Sequence, residues 1–181
     1  MKTAPIPCSK EEIDAIVKAA EDNDYYYTLF MVAKTTGRRL GEYYSLKVKD
    51  IDFEKNIMMT LILKKREFKQ KEAILSPDVA RLLKQFIIRN KLRDTDYVFR
   101  KVGYRQIQYA VAAYAKKAGI DHKVSFHNFR HYFITELVRK GWHYDHIIKL
   151  TGHTNPGTLT HYDHAVASDI KEQALKALED M

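Results

Sequence analysis

The stretch DYYYTLFMVAKTTG, residues 24–37, is apolar and aromatic on nearly every face. A helix without a polar stripe belongs at the centre of a fold, so this segment predicts a buried central helix stopping near Gly37. Most of the remaining chain also reads as helix. SKEEIDAIVKAAEDN opens with Ser9 as N-cap, and Glu12 three residues on completes a capping box. RRLGEYYSLKVKDID continues helically to about Leu46. SPDVARLLKQFIIRN has Ser76 as N-cap and Pro77 at the first helical position. YRQIQYAVAAYAKKAG ends at Gly119, and SFHNFRHYFITELVRKG is capped by Ser125 and ended by Gly141. HYDHIIKLTG is a short helix, and SDIKEQALKALEDM is amphipathic, with Ile170, Ala174, Leu175 and Leu178 on one face. Only NIMMTLIL and KEAILS read as strands, joined as a hairpin by the charged turn KKREFKQ. The expected class is mainly α with a small antiparallel β-sheet.

At 181 residues and 45% hydrophobic, the chain is long enough for one proper core, so a single domain is expected. MKTAPIPC, residues 1–8, reads as an extended lead-in, with the domain spanning 9–181. The net charge of +8 points to a polyanionic partner, a property shared by RNA-binding and ribosomal proteins. Cys8 is the sole cysteine, which excludes a disulfide framework and favours a reducing, intracellular (cytoplasmic) location. No apolar run approaches membrane-spanning length, so no membrane partner is expected.

Three short segments carry the residues with chemical potential. In HNFRH, His127, Arg130 and His131 stand at i, i+3 and i+4 and share a helical face. A lone pattern of this kind is usually a solvated polar stripe, so it needs partners elsewhere. TTGRRLGE places Arg39 shortly after a glycine, where a helix restarts, with Glu42 one turn on. TGHTNPGTLTHY places His153 after Gly152 and Tyr162 nine residues later, beyond a Pro-Gly turn.

Taken in order, Thr36, Gly37, Arg39 and Glu42, then His127 and Arg130, then His153 and Tyr162 resemble the boxes of the tyrosine recombinases. These are the phage integrases and the Xer-like and Cre-like enzymes. The resemblance covers the chain after Cys8 and includes the separations between boxes. It implies Arg39 and Arg130 as phosphate-binding arginines, His127 and His153 as hydrogen-bonding and proton-handling groups, and Tyr162 as nucleophile. It also asks for a lysine at the hairpin tip. Lys65 fills that place, with Lys64 the alternative register. Arg38 and Thr151 stand where the family more often has apolar residues, and neither is expected to touch the chemistry. The implied reaction is site-specific recombination or integration: cleavage of double-stranded DNA through a 3′-phosphotyrosyl link, rejoining to another 5′-hydroxyl, and assembly with other protomers. Family members usually carry a further N-terminal helical domain that closes a clamp on DNA. This chain has no room for one, so an isolated catalytic domain or a small natural form is expected.

The residue types suit that chemistry in their own right. A phosphodiester gains negative charge as an oxygen attacks, and guanidinium groups supply fixed, bidentate positive charge. A tyrosine with a pKa of roughly 10 needs an acceptor or a positive field before it can attack. A histidine can take that proton, and a lysine can protonate the departing oxygen. The covalent link keeps the energy of the broken bond, so no cofactor is expected. No carboxylates cluster at metal spacing, so no metal is expected and a two-metal nuclease is disfavoured. Two alternatives remain open: a type IB topoisomerase-like relaxase, and a non-catalytic DNA-binding regulator on the same fold.

His-Tyr-Asp-His occurs twice, at 143–146 and 161–164. Tyr162 has His153 and a Pro-Gly turn behind it, whereas Tyr144 follows Gly141 and Trp142 without those supports. The first copy therefore reads as surface and the second as the active segment.

Overall fold

The computed structural model describes residues 7–64 and 67–151, the side chains of 62–69 excepted. Lys65, His153, Tyr162 and the amphipathic segment after Ser168 lie outside the described residues. The chain divides into two units, Met1–Phe133 and Ile134–Met181.

In the first unit α1 spans Lys10–Ala19 and begins with the expected box: the Ser9 hydroxyl accepts from the Glu12 N–H, and the Glu12 carboxylate accepts from the Ser9 N–H. α2 spans Asp24–Thr36 and is the central helix, with Tyr25, Leu29, Phe30, Val32 and Ala33 buried. It packs against α1 and against α4, Pro77–Arg89, while α1 also meets α5, Tyr104–Lys117. α4 starts as expected, with the Ser76 hydroxyl accepting from Val79 and proline in the first turn. Tyr25 shows how a tyrosine of this helix can face the interior: its hydroxyl donates to the Phe99 carbonyl over 2.8 Å, which offsets the penalty of burying it.

The restarted helix after Gly37 is shorter than expected. α3 covers only Leu40–Tyr44, and a 3₁₀ turn at Val48–Asp50 leads into β1, Ile51–Asp52. The sequence pattern predicts no strand at this point. β1 pairs with β2 (Ile57–Lys64), which pairs with β3 (Glu67–Ile74), giving an antiparallel sheet of order β1–β2–β3. The hairpin pairing runs from Ile57↔Ile74 to Lys64↔Glu67, so most of the supposed turn KKREFKQ belongs to the ladder. Ladder hydrogen bonds are main-chain bonds and need no apolar side chain, which is why a charged stretch can extend a strand. Near the base of the hairpin Met58, Thr60 and Ala73 face inward.

α6, His127–Arg139, begins in the first unit. Two rings fix its start: Phe129 lies 5.2 Å from Phe30 of α2, and Phe126, just before the helix, lies 5.8 Å from Tyr43 of α3. Each buried phenylalanine contributes about 1.5–3 kcal/mol, so the position of α6 is set by packing rather than by its polar residues. At its start the Ser125 N–H and hydroxyl both donate to the Asn128 carboxamide oxygen, at 2.9 and 3.1 Å. In the second unit α7 spans Tyr144–Thr151, with Ile134, Leu137 and Ile147 buried. No helix among the described residues is long and apolar enough to cross a membrane.

Candidate active site

The site is built around the turn that ends α2. Gly37 takes the left-handed conformation (φ +60°) and its N–H bonds back to the Ala33 carbonyl. A methyl group at this position would lie 2.3 Å from Cδ1 of Phe133, so both backbone and space call for glycine. The turn is then held by Tyr43. Thr36 Oγ1 donates to the Val32 carbonyl, which leaves Tyr43 Oη to donate to Thr36 Oγ1 over 2.7 Å and to accept from the Arg38 N–H over 2.8 Å. Burial raises the pKa of Tyr43, so it remains a neutral donor.

Arg39 caps α3 and is half-exposed, with Nη1 3.3 Å from Glu42 Oε1. Glu42 is buried, and its other oxygen lies 3.9 Å from Nε of Arg38. Arg38 is also fully buried and donates from Nη2 to the Glu72 carbonyl on β3. Its Nε and Nη1 have no hydrogen-bond partner among the described residues. Desolvation lowers its pKa, opposed by the charge of Glu42. One carboxylate thus sits between two guanidiniums.

Arg130 adds a third guanidinium. It is buried, and its Nη1 donates over 2.8 Å to the carbonyl of Gly37. Burial first, then the positive charge of Arg39, lowers its pKa to about 10, so it still carries its charge at neutral pH. His127 has one side on the protein and the other open to solvent. Desolvation first, then the charges of His131, Arg130 and Arg39, pushes its pKa down to about 4. His131 is lowered by burial and by Arg130, and its ring meets that of His127 edge-on at 4.5 Å. Both rings are neutral at pH 7, and His127 can therefore accept a hydrogen bond there while being a weaker base than a free imidazole.

Arg38, Arg39, Leu40, Tyr104, Gln108, Ser125, Phe126 and His127 line an open cavity of about 310 Å³. Three guanidiniums against one carboxylate leave this region strongly positive, which suits an anionic group of phosphate size.

Of the expected site residues, Arg39 and His127 come together at the cavity, and Arg130 donates to the Gly37 carbonyl of the turn before Arg39. Lys64 ends β2. Lys65, His153 and Tyr162 are not among the described residues. Arg38, its guanidinium fully buried, also lines the cavity and shares Glu42 with Arg39. Its signal in the sequence was a charge in an apolar place with a glutamate four residues on. Tyr104 and Gln108 were also missed, although their i, i+4 spacing on α5 puts them on one face. The 143–146 copy of the tetrapeptide is surface, with His143, Asp145 and His146 exposed.

Residues 8–168 match the phage integrase family, and the chain belongs to that family. It is 25% identical over 185 residues to the tyrosine recombinase XerA of Pyrococcus furiosus, a match covering 97% of this chain and 63% of the relative. It is 30% identical over 143 residues to XerA of Saccharolobus solfataricus, covering 79% of this chain and 47% of that one. The chain therefore spans between about half and three-fifths of the length of these relatives. A crystal structure of XerA recombinase shares the fold with a TM-score of 0.82 at 26% identity, covering 98% of this chain and 65% of that chain. XerH site-specific recombinase bound to a palindromic difH substrate shares it at 0.76 and 22% identity.

Proposed function

We propose that residues 9–181 act as the catalytic domain of a tyrosine recombinase, with residues 1–8 as a lead-in. The substrate is double-stranded DNA, cleaved and rejoined through a 3′-phosphotyrosyl intermediate in an assembly with other protomers. A DNA-associated role of this kind fits an intracellular, cytoplasmic protein. The observation that carries the reading is the convergence of Arg39 and His127 on one positive cavity, with Arg130 beside them. The XerH relative is a site-specific recombinase bound to its substrate, which supports the same class of partner here.

In this reading Arg39 and Arg130 hold the non-bridging oxygens of the scissile phosphate, where charge grows during attack. The hydroxyl of Tyr162 attacks phosphorus, and the leaving 5′ oxygen takes a proton from Lys65, or from Lys64 in the alternative register. His127, neutral at pH 7, and His153 share the proton of the tyrosine and the hydrogen bonds to the phosphate. Glu42 keeps Arg39 turned toward the cavity through the 3.3 Å ion pair.

The test is a nicked, labelled suicide duplex incubated with the protein and resolved on a denaturing gel. The wild-type chain and Tyr144→Phe give a slow covalent band, and Tyr162→Phe gives none while still binding DNA. A band from Tyr162→Phe would overturn the nucleophile. Relaxation of supercoils without joining of two sites would point to a relaxase, and no adduct from the wild-type chain would point to a non-catalytic regulator.

A further inference from the structure

Away from the cavity, at the start of α1, Cys8, Glu12 and His122 bring a sulfur, a carboxylate oxygen and a ring nitrogen within 4.8 Å of one another. None of the three lines the cavity that holds Arg39 and His127. We propose that these three side chains form a site for a divalent transition metal of the zinc type, independent of the strand-transfer chemistry. Such a site departs from the expectation of a metal-free protein drawn from the sequence.

The geometry of each group favours this use. The capping box occupies one oxygen of Glu12 with the Ser9 N–H over 2.8 Å, and the other oxygen lies 2.9 Å from Nε2 of His122. Cys8 immediately precedes the cap, so the same box that starts α1 sets thiol and carboxylate side by side. Cys8 is buried, whereas Glu12 and His122 are partly open, which leaves a path for an ion. His122 Nδ1 is buried with no hydrogen-bond partner among the described residues.

Asn128 supplies the support that a thiolate ligand requires. Its carboxamide oxygen is fully engaged by Ser125, so the group it presents to Cys8 is its N–H₂, a donor that favours the negative sulfur. In the absence of a cation, burial and the charge of Glu12 push the thiol up to about 11 and keep it protonated. Binding exchanges that proton for the metal: the S–H bond breaks, a metal–sulfur bond forms, and one proton leaves to solvent.

The donor set selects the ion. A mixed sulfur, nitrogen and oxygen set suits zinc and its neighbours, while a thiolate is wrong for magnesium or calcium. Tetrahedral bonds of about 2.0–2.3 Å place ligand atoms about 3.3–3.8 Å apart, within a small side-chain adjustment of the arrangement here. Three protein ligands leave the fourth position for water.

The effect on the fold follows from the partners. The site joins the entry of α1 to the loop before α6, and Asn128 adjoins His127. An ion there braces the first turn of the helix that carries His127 and Arg130.

The test uses the whole chain, freed of metal by a chelator and titrated with Co²⁺ in absorption. The chain has a single cysteine, so a sulfur-to-cobalt charge-transfer band can come only from Cys8. The expected result is a band saturating at one cobalt per chain, displaced by Zn²⁺, and absent in Cys8→Ser. Glu12→Gln and His122→Asn should weaken cobalt binding about tenfold or more, while His146→Asn changes nothing. Circular dichroism of each variant without metal checks that the fold is retained, and the wild-type titration stands without any variant. No charge-transfer band up to millimolar cobalt would overturn the proposal, leaving Glu12 and His122 as a hydrogen-bonded latch. A band of unchanged affinity in both Glu12→Gln and His122→Asn would overturn it equally. Neither outcome depends on whether the chain cleaves DNA.

Discussion

Gly37→Ala tests whether the turn beneath the three arginines is as tightly specified as its surroundings imply. Two separate penalties apply. A non-glycine residue in the left-handed region is less stable by about 1 kcal/mol. The new methyl carbon would also meet the Phe133 ring, with Cδ1, Cγ and Cβ at 2.3, 2.7 and 2.9 Å. Forcing a methyl into filled space costs about 1–3 kcal/mol. Together these give about 3 kcal/mol, and at about 2–4 °C per kcal/mol for a chain of this size the melting temperature falls by about 6–12 °C. Gly119→Ala separates the two penalties. Gly119 has φ +79°, but nothing lies within 4 Å of its missing methyl, so only the backbone penalty applies and the loss is about 2–4 °C. The assay is thermal melting by circular dichroism for both variants in one buffer. Gly37→Ala should also reduce the covalent adduct beyond what unfolding explains, because the Gly37 carbonyl is the acceptor that holds Arg130. Equal melting losses at the two glycines would refute the claim that Phe133 closes the space over the turn.

Three further outcomes follow from the same region. Arg38→Leu leaves the buried Glu42 with Arg39 alone and should destabilise by about 3 kcal/mol in urea, while Arg38→Leu with Glu42→Leu recovers part of that loss; a double variant less stable than the single would contradict the ion-pair account. His127 and His131 both have folded-state pKa values below the unfolded value, so the unfolded chain binds more protons in acid. Their contribution to stability is complete above about pH 6.5 and is lost as the pH falls toward about 4. Melting across that window should flatten in the His127→Asn, His131→Asn double variant, and an unchanged slope would remove these rings as its cause. Because the proposed charge stabilisers are arginines and a lysine, adduct formation should continue in excess EDTA below the melting temperature of the metal-free chain. Complete loss restored by magnesium would contradict that mechanism.

What the sequence disclosed and what it hid divide along the range of the interactions. The Ser9–Glu12 box, the Ser76 cap with Pro77, the all-round apolar α2 and its stop at Gly37 are local, and each was readable from neighbouring residues. The hairpin was found but cut short, because ladder pairing leaves no apolar pattern where side chains are charged. β1 has only two residues, too few for any alternation to show. The arrangement of the arginines is the clearest case of long-range determination. Glycine after Thr36 signals a turn, but only the fold shows that Phe133 fills the place of its side chain and that Arg130 ties to its carbonyl.

The same division explains why the burial of Arg38 was not legible in the sequence. In the chain it is a charged residue where an apolar one is more usual, and a charged side chain is rarely fully buried unless paired. In the fold the rings of Tyr43, Phe126, Phe129 and Phe30 fix α3 and α6 against α2, and this packing encloses the Arg38 guanidinium beside Glu42. Arg39, the next residue, keeps its side chain half-exposed on the cavity. Two adjacent guanidiniums therefore divide the labour: one is spent inside, tying Glu42 to the Glu72 carbonyl of β3, and the other is free to face an anion. Since β3 pairs with β2, which ends at Lys64, Arg38 links the turn that carries Arg39 to the hairpin. A charge in an apolar place thereby couples two parts of the proposed site that lie far apart in sequence.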